Sequence, residues 1–93
     1  MLVLSREIGT SIVIEDVRVT LVRVGPEHCE VALEKLAGGT RRIATLPRDE
    51  SVEVCYGARL VFIGASGTKA RLAIDAPREV HVARHEIREG LAD

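Results

Sequence analysis

The two ends of the chain carry the side chains best suited to binding a ligand. Arg6 lies in the opening run of residues 1–8, and Arg84 follows the late run of residues 76–83. An arginine presents five donors in a rigid plane and can pair bidentately with a guanine edge or a phosphate. These residue types predict recognition chemistry at both ends of the chain.

The remaining reactive side chains are not spaced for catalysis. His28 adjoins Cys29, but neighbours along a strand point to opposite faces and cannot form a nucleophile–base pair. His81 and His85 have no third metal ligand at a suitable spacing. The run of residues 64–68 lacks the Gly-Lys-Ser/Thr ending of a phosphate loop, so we expect a hairpin there. The sequence therefore predicts no enzyme activity, no metal and no cofactor.

The composition suits one small domain spanning residues 1–93, with 46% hydrophobic residues and a formal net charge of −1. A nearly neutral chain has no overall attraction for nucleic acid, so any basic surface must come from local clusters. No apolar run approaches the roughly 18 residues of a membrane span and no lysine-rich leader is present, so we expect a cytoplasmic protein without membrane contact. Cys29 and Cys55 are too few for a disulfide framework and are expected to be reduced.

Aromatic side chains are scarce, since Tyr56 and Phe62 are the only two. Proteins that bind single strands by stacking bases on aromatic rings need more than these two provide. An RNA-binding surface on this chain would have to use main-chain strand edges, aliphatic side chains and arginine.

Alternating apolar residues predict short strands along most of the chain. Four fall in the first half, at residues 1–8, 12–14, 17–22 and 29–33. A Gly-Gly pair then interrupts the pattern, and similar periodicity returns about forty residues later. Two explanations stay open: a duplication, with a truncated copy at residues 1–37 and a complete copy at residues 41–93, or an insertion of two or three strands.

The late part of the chain changes period. Pro77 ends one strand, and Val80 and Val82 alternate with polar residues as a further strand would. From Arg84 onward, Ile87 and Leu91 share a face at helical spacing. We therefore predict an all-β fold, a small barrel-like sandwich of about nine antiparallel strands with one short C-terminal α-helix.

The terminal segments together resemble a known family. Residues 1–14 read Met-Leu-Val-Leu-Ser-Arg-x-Ile-Gly-x-Ser-Ile-Val-Ile, and residues 72–87 read Leu-Ala-Ile-Asp-Ala-Pro-Arg-Glu-Val-His-Val-Ala-Arg-His-Glu-Ile. This pair is similar to the two ends of the carbon storage regulator family (CsrA/RsmA type), small bacterial proteins that bind messenger RNA. The resemblance covers about residues 1–14 and 54–91, and the roughly forty residues between them have no counterpart in short family members.

The resemblance implies an arrangement for the two ends. In the family, two chains form an interlaced dimer in which the first strand of one lies beside the last strand of the other, creating two identical RNA sites. Here one chain could supply both partners as a pseudo-dimer, with residues 2–8 beside residues 78–85. The second site should be missing, because residues 43–47 lack an equivalent of Arg6 and include Pro47, which removes a main-chain donor.

The resemblance also implies a function and a set of binding residues. The family binds GGA-type motifs in hairpin loops, often near ribosome-binding sites, and controls translation initiation or message stability, including that of carbohydrate metabolism genes. The family relies on an arginine at the position of Arg84. We expect RNA contacts from Leu4, Ser5, Arg6, Glu7, Arg78, Val80, His81, Val82, Arg84 and His85.

Several of these residues have a competing structural role. Leu4, Val80 and Val82 would either cover the faces of splayed bases or pack in the core. Arg78 and His81 would either contact phosphate at the rim or be ordinary surface residues.

Two alternatives to this interpretation remain. A plain insertion predicts a homodimer with two RNA sites instead of a monomer with one. A chain that has lost one site and carries little net charge could instead be a protein-interaction module that acts through a protein partner. The partners that the resemblance implies include hairpin-loop messenger RNA, a small regulatory RNA and a flagellar assembly factor.

Overall fold

The computed structural model describes residues 1–83 as nine β-strands in two antiparallel sheets. The all-β prediction is confirmed for this part of the chain, while the predicted C-terminal helix, from residue 84 onward, lies outside the described residues. Within residues 1–83 the sheets form an open sandwich and do not close into a barrel. The strands are β1 (Leu2–Glu7), β2 (Ser11–Ile14), β3 (Val17–Val24), β4 (His28–Lys35), β5 (Arg42–Pro47), β6 (Ser51–Cys55), β7 (Ala58–Ser66), β8 (Lys69–Asp75) and β9 (Val82–Ala83).

The apolar alternation in the sequence decides which face of each strand is buried. In β3, Val17, Val19 and Leu21 are buried, while the intervening Arg18 and Thr20 are partly exposed. One core cluster contains side chains from both sheets, and Phe62 of β7 is its largest fully buried member. The two sheets therefore share a single core, as one small domain requires.

The two halves of the chain exchange their first strands. The four-stranded sheet has the order β1-β8-β7-β6, and the five-stranded sheet has the order β5-β4-β3-β2-β9. Strand β1 thus pairs with a hairpin of the second half, and β5 pairs with a strand of the first half. Periodicity alone does not specify this exchange, because either pairing would bury the same apolar residues.

The two halves also match in the local geometry of their strands and turns. The ladder between β3 and β4 shifts register after Leu21, and the ladder between β7 and β8 shifts register after Phe62, about forty positions later. The turns that follow β2 and β6 both contain a residue with positive φ, Glu15 at 53° and Tyr56 at 49°. The two halves therefore share a structural repeat, while its origin by duplication or by insertion stays a prediction.

The last described strand begins later than the sequence predicts. Among residues 76–83, only Val82 and Ala83 pair with β2, through Ile14 and Val13. The preceding residues form a turn, in which the Val80 N–H donates to the Pro77 carbonyl at 3.0 Å. The prediction that Val80 and Val82 belong to one strand is wrong, because Val80 ends the turn and only Val82 lies in β9, while both side chains are half-buried against the core.

Candidate nucleic-acid interface

Residues 76–82 cross from one sheet to the other. The segment leaves the end of β8 at Asp75 and reaches the edge of β2, where β9 begins at Val82. Glu15 holds the segment there at two points, since its N–H donates to the His81 carbonyl at 2.8 Å and its Oε2 accepts from the His81 N–H at 2.7 Å. Glu15 thus positions the part of the chain that was predicted to contact RNA.

A second contact fixes the start of the crossing. Pro77 packs against Gly57, a turn residue with φ of 83°. A Cβ atom at position 57 would come within 3.3 Å of the Pro77 Cγ. Glycine is therefore needed there both for its left-handed conformation and for the space that the proline ring occupies.

Gly57→Ala is expected to lower the free energy of unfolding by about 1–2 kcal/mol, the usual cost of a side chain in the left-handed region, with an added contribution from displacing Pro77. Gly9→Ala is the matched control, because Gly9 has φ of 92° and nothing within 4 Å of the added Cβ. Urea unfolding should show the larger loss for Gly57→Ala. Hydrogen exchange of the Glu15 amide should be faster in that variant alone, and equal exchange in both variants would contradict the positioning role of Pro77.

The crossing segment and the start of β1 border one groove. Met1 and Leu2 line one side, and Pro77, Arg78, Val80 and Val82 line the other, around a cavity volume of about 320 Å³. Met1 and Arg78 are exposed, whereas Leu2, Val80 and Val82 are half-buried against the core. Of residues 2–8, only Leu2 borders this groove, and β1 pairs with β8 and not with β9. The predicted arrangement of residues 2–8 beside residues 78–85 therefore stays a prediction.

Strand β1 extends this groove along the sheet edge. Its residues pair with β8 on one side, and no described residue pairs with its other side. Such an edge leaves main-chain N–H and C=O groups able to bond a ligand. Four residues of strand span roughly 13 Å, so an extended ligand that follows the edge from Leu2 would reach Arg6.

The side chains of β1 divide between two faces. Leu2, Leu4 and Arg6 are half-buried, and Val3, Ser5 and Glu7 are exposed. Leu4 packs against the core, so only part of it is left for a ligand. Glu7 is already engaged, because it accepts from the Thr68 hydroxyl at 3.1 Å and lies 3.8 Å from the Lys69 ammonium.

Arg6 has a polar side-chain atom without a hydrogen-bond partner among residues 1–83. Its Nε is buried and makes no hydrogen bond to the described residues. An unpaired buried donor costs about 1–3 kcal/mol, so an acceptor that reached this Nε would remove that cost. The equivalent position in β5 is Leu46, which is 1% exposed, since Arg6 pairs with Ala70 as Leu46 pairs with Cys29.

The other predicted contacts are placed as follows. Arg78 and His81 have exposed side chains at the crossing segment, although the His81 main chain bonds to Glu15. Ser5 is exposed at the middle of β1. Arg84 and His85 lie outside the described residues, so their contacts stay predictions.

Comparison with protein-family models, with curated proteins and with solved structures gave no match. The family resemblance therefore stays a prediction, and the interface is argued from its own geometry.

The structural repeat places a second groove at the equivalent position beside the start of β5. No crossing segment borders that groove among residues 1–83. It is lined by Val17, Leu33, Arg42 and Val54, and no described strand pairs with the outer edge of β6. Within residues 1–83, a groove between the start of a strand and a crossing segment that is hydrogen-bonded to the opposite sheet therefore occurs once.

The described residues hold no cluster of three or more His, Cys, Asp or Glu side chains that could bind a metal ion, and no helix among them could span a membrane. Burial raises the pKa of the Cys29 thiol to about 11, with a smaller contribution from Glu30. Burial also raises the pKa of Cys55, whose Sγ lies 3.4 Å from the Ile14 carbonyl oxygen. Both cysteines are therefore protonated at neutral pH and unreactive as nucleophiles.

Sequence reasoning missed the residues that position the interface. Glu15 follows β2 in a turn and looks like a solvated turn residue, and nothing in the sequence connects it with His81. Gly57 carried a detectable signal, because a glycine directly after a strand indicates a turn that needs positive φ. Its packing partner Pro77, however, is distant in sequence and required the fold.

Proposed function

We propose that this protein binds messenger RNA at GGA-type motifs in hairpin loops and regulates translation initiation or message stability, as carbon storage regulators do. The observation that carries the proposal is the exchange of β1 into the sheet of the second half. It brings the start of β1, at Leu2, and residues 76–82 to one groove. The proposal includes a single-chain pseudo-dimer, a C-terminal helix and a cytoplasmic location.

The groove offers the contacts that an unpaired loop needs. Strand-edge N–H and C=O groups of β1 bond to base edges, and the exposed parts of Leu4, Val80 and Val82 cover base faces. The guanidinium groups of Arg6 and Arg84 bond guanine edges or phosphates.

The remaining predicted residues act at the rim of the groove. Ser5 supplies a hydroxyl, Arg78 and His81 meet phosphates, and His85 extends the site. Glu7, already bonded to Thr68 and Lys69, orients the end of β1. No covalent bond is made or broken, so repression follows from occupying the message near its translation start site.

One site per chain limits how strongly the protein can act on messages with several motifs. Two linked sites would gain affinity through effective concentration, and a single site cannot. We therefore expect similar potency on one-motif and two-motif transcripts.

Arg84→Ala is expected to weaken binding of a GGA-loop hairpin about 5- to 150-fold, because an arginine that contacts a base contributes about 1–3 kcal/mol. The measurement is a fluorescence titration against a hairpin with a scrambled loop, at two salt concentrations. Light scattering of the saturated complex should give one RNA bound to one chain. Arg23→Ala is the matched control, because it also removes one positive charge, from a side chain that is 72% exposed on the five-stranded sheet.

Equal affinity for GGA and scrambled loops would contradict sequence-specific recognition. Absence of any binding at low salt would favour the alternative function as a protein-interaction module. A complex with two chains and two RNA molecules would contradict the single-chain pseudo-dimer but not RNA binding.

A further inference from the structure

A basic cavity lies beside β1, on the four-stranded sheet. It has a volume of about 460 Å³ and is lined by Ser5, Arg48, Gly64, Ser66, Lys69 and Arg71 together with two apolar residues. Three cationic side chains line it, and none of its lining residues is acidic. We refer to it as the Arg48 cavity.

Arg48 is held through both its main chain and its side chain, the main-chain N–H by Glu27 and the side chain by Ile63. Its N–H donates to the Glu27 carbonyl at 2.8 Å, and its Nε donates to the Ile63 carbonyl at 3.2 Å. Its Nη2 lies over Gly64, 3.9 Å from where a Cβ atom would be. The guanidinium is therefore oriented before any ligand arrives, which reduces the entropy lost on binding.

The other two cations approach from β8. Arg71 is exposed and lies opposite Ser5 in the ladder between β1 and β8. Lys69 is partly neutralised by Glu7 at 3.8 Å, so Arg48 and Arg71 supply the main positive charge. Two guanidinium groups and the hydroxyls of Ser5 and Ser66 are donors suited to the oxygens of a phosphate group.

The position of Arg48 is informative because it falls in the part of the chain that the family resemblance does not cover. It follows β5, the strand that the second half contributes to the five-stranded sheet. Its counterpart one repeat earlier is Ile8, which has no charge. The cavity therefore adds a cation to the side of the molecule that carries the free edge of β1.

We infer that the Arg48 cavity binds a phosphate group, and that this phosphate belongs to the RNA backbone next to the loop nucleotides held along β1. This inference rests on the proposed function, since it extends the same interface beyond the loop. Binding there is independent of base identity, because a phosphate carries no sequence information. The cavity contributes affinity and salt dependence, and β1 and residues 76–84 contribute specificity.

The test compares Arg48→Ala with Arg59→Ala in titrations of a GGA-loop hairpin and a scrambled-loop hairpin between 50 and 200 mM salt. Arg59 lies on β7 of the same sheet and bonds to Ser51 outside the cavity, so its removal loses the same charge. Arg48→Ala should weaken both RNAs by the same factor, about tenfold near 0.1 M salt. The slope of log K against log salt should fall by about 1 in this variant only.

A second arm uses inorganic pyrophosphate and NMR, so that failure of the inference differs from failure of the proposed function. Pyrophosphate should shift the amides of Gly64 and Ala65 in the wild type and not in Arg48→Ala. If the wild type binds no RNA but shows these shifts, the proposed function and the assignment of the phosphate to RNA are overturned, and a phosphate site alone is supported. The inference is overturned if Arg48→Ala matches Arg59→Ala in affinity and slope, or if pyrophosphate leaves both amides unchanged.

Discussion

Replacing Arg6 with leucine should raise the free energy of unfolding by about 1 kcal/mol while weakening binding of GGA-loop RNA about 5- to 150-fold. The gain in stability follows from the buried Nε that has no partner among the described residues. Leucine removes that unpaired donor and places an apolar side chain on a strand face where Leu2 and Leu4 already pack. The loss of binding follows from removing the only guanidinium on β1.

The reciprocal change should have the opposite effect on stability. Leu46 occupies in β5 the place of Arg6 in β1, and it is 1% exposed. Leu46→Arg would bury a charge without a partner, and we expect it to cost about 3–5 kcal/mol. Urea unfolding measures both variants, and fluorescence titration with the hairpin measures Arg6→Leu.

This pair of variants separates two explanations of Arg6. If Arg6 is retained for binding, stability and affinity change in opposite directions in Arg6→Leu. If both fall together, Arg6 is a structural residue of the four-stranded sheet, and the interface loses its described arginine on β1.

The strands were predictable from the sequence because their faces differ in polarity. The alternation is regular in residues 17–21, and the predicted strands over residues 17–22 and 29–33 end within two residues of β3 and β4. The hairpin expected at residues 64–68 is confirmed as the turn between β7 and β8. Burial of one face of each strand fixed these elements locally, independently of which strands are neighbours.

The interface was harder to predict because its geometry depends on contacts that are distant in sequence. The turn at residues 77–80 is held by Gly57 and Glu15, and periodicity does not detect either contact. The same limit applies to the Arg48 cavity, whose cations come from the end of β5 and from β8. The exchange of strands explains how Leu2 of β1 and residues 76–82 come to border one groove.

Phe62→Ala should cause a large loss of stability, about 3–5 kcal/mol, because Phe62 is fully buried and its removal leaves a cavity between the sheets. Its surroundings cannot easily collapse around the gap. The Phe62 carbonyl accepts a hydrogen bond from the Asp49 N–H at 2.8 Å, and the Phe62 main chain forms a parallel β-bridge with Arg48. A domain of this size has about 5–15 kcal/mol in total, so the variant would be left marginally stable.

Two further variants isolate the cause of that loss. Phe62→Leu keeps most of the volume and should cost less than about 1.5 kcal/mol. Tyr56→Ala removes an aromatic ring that is 62% exposed and should change the free energy of unfolding by no more than about 0.5 kcal/mol. Guanidinium unfolding monitored by circular dichroism measures all three. A loss below 1 kcal/mol in Phe62→Ala would contradict the shared core, and with it the sheet packing that brings β1 and residues 76–82 to the same groove.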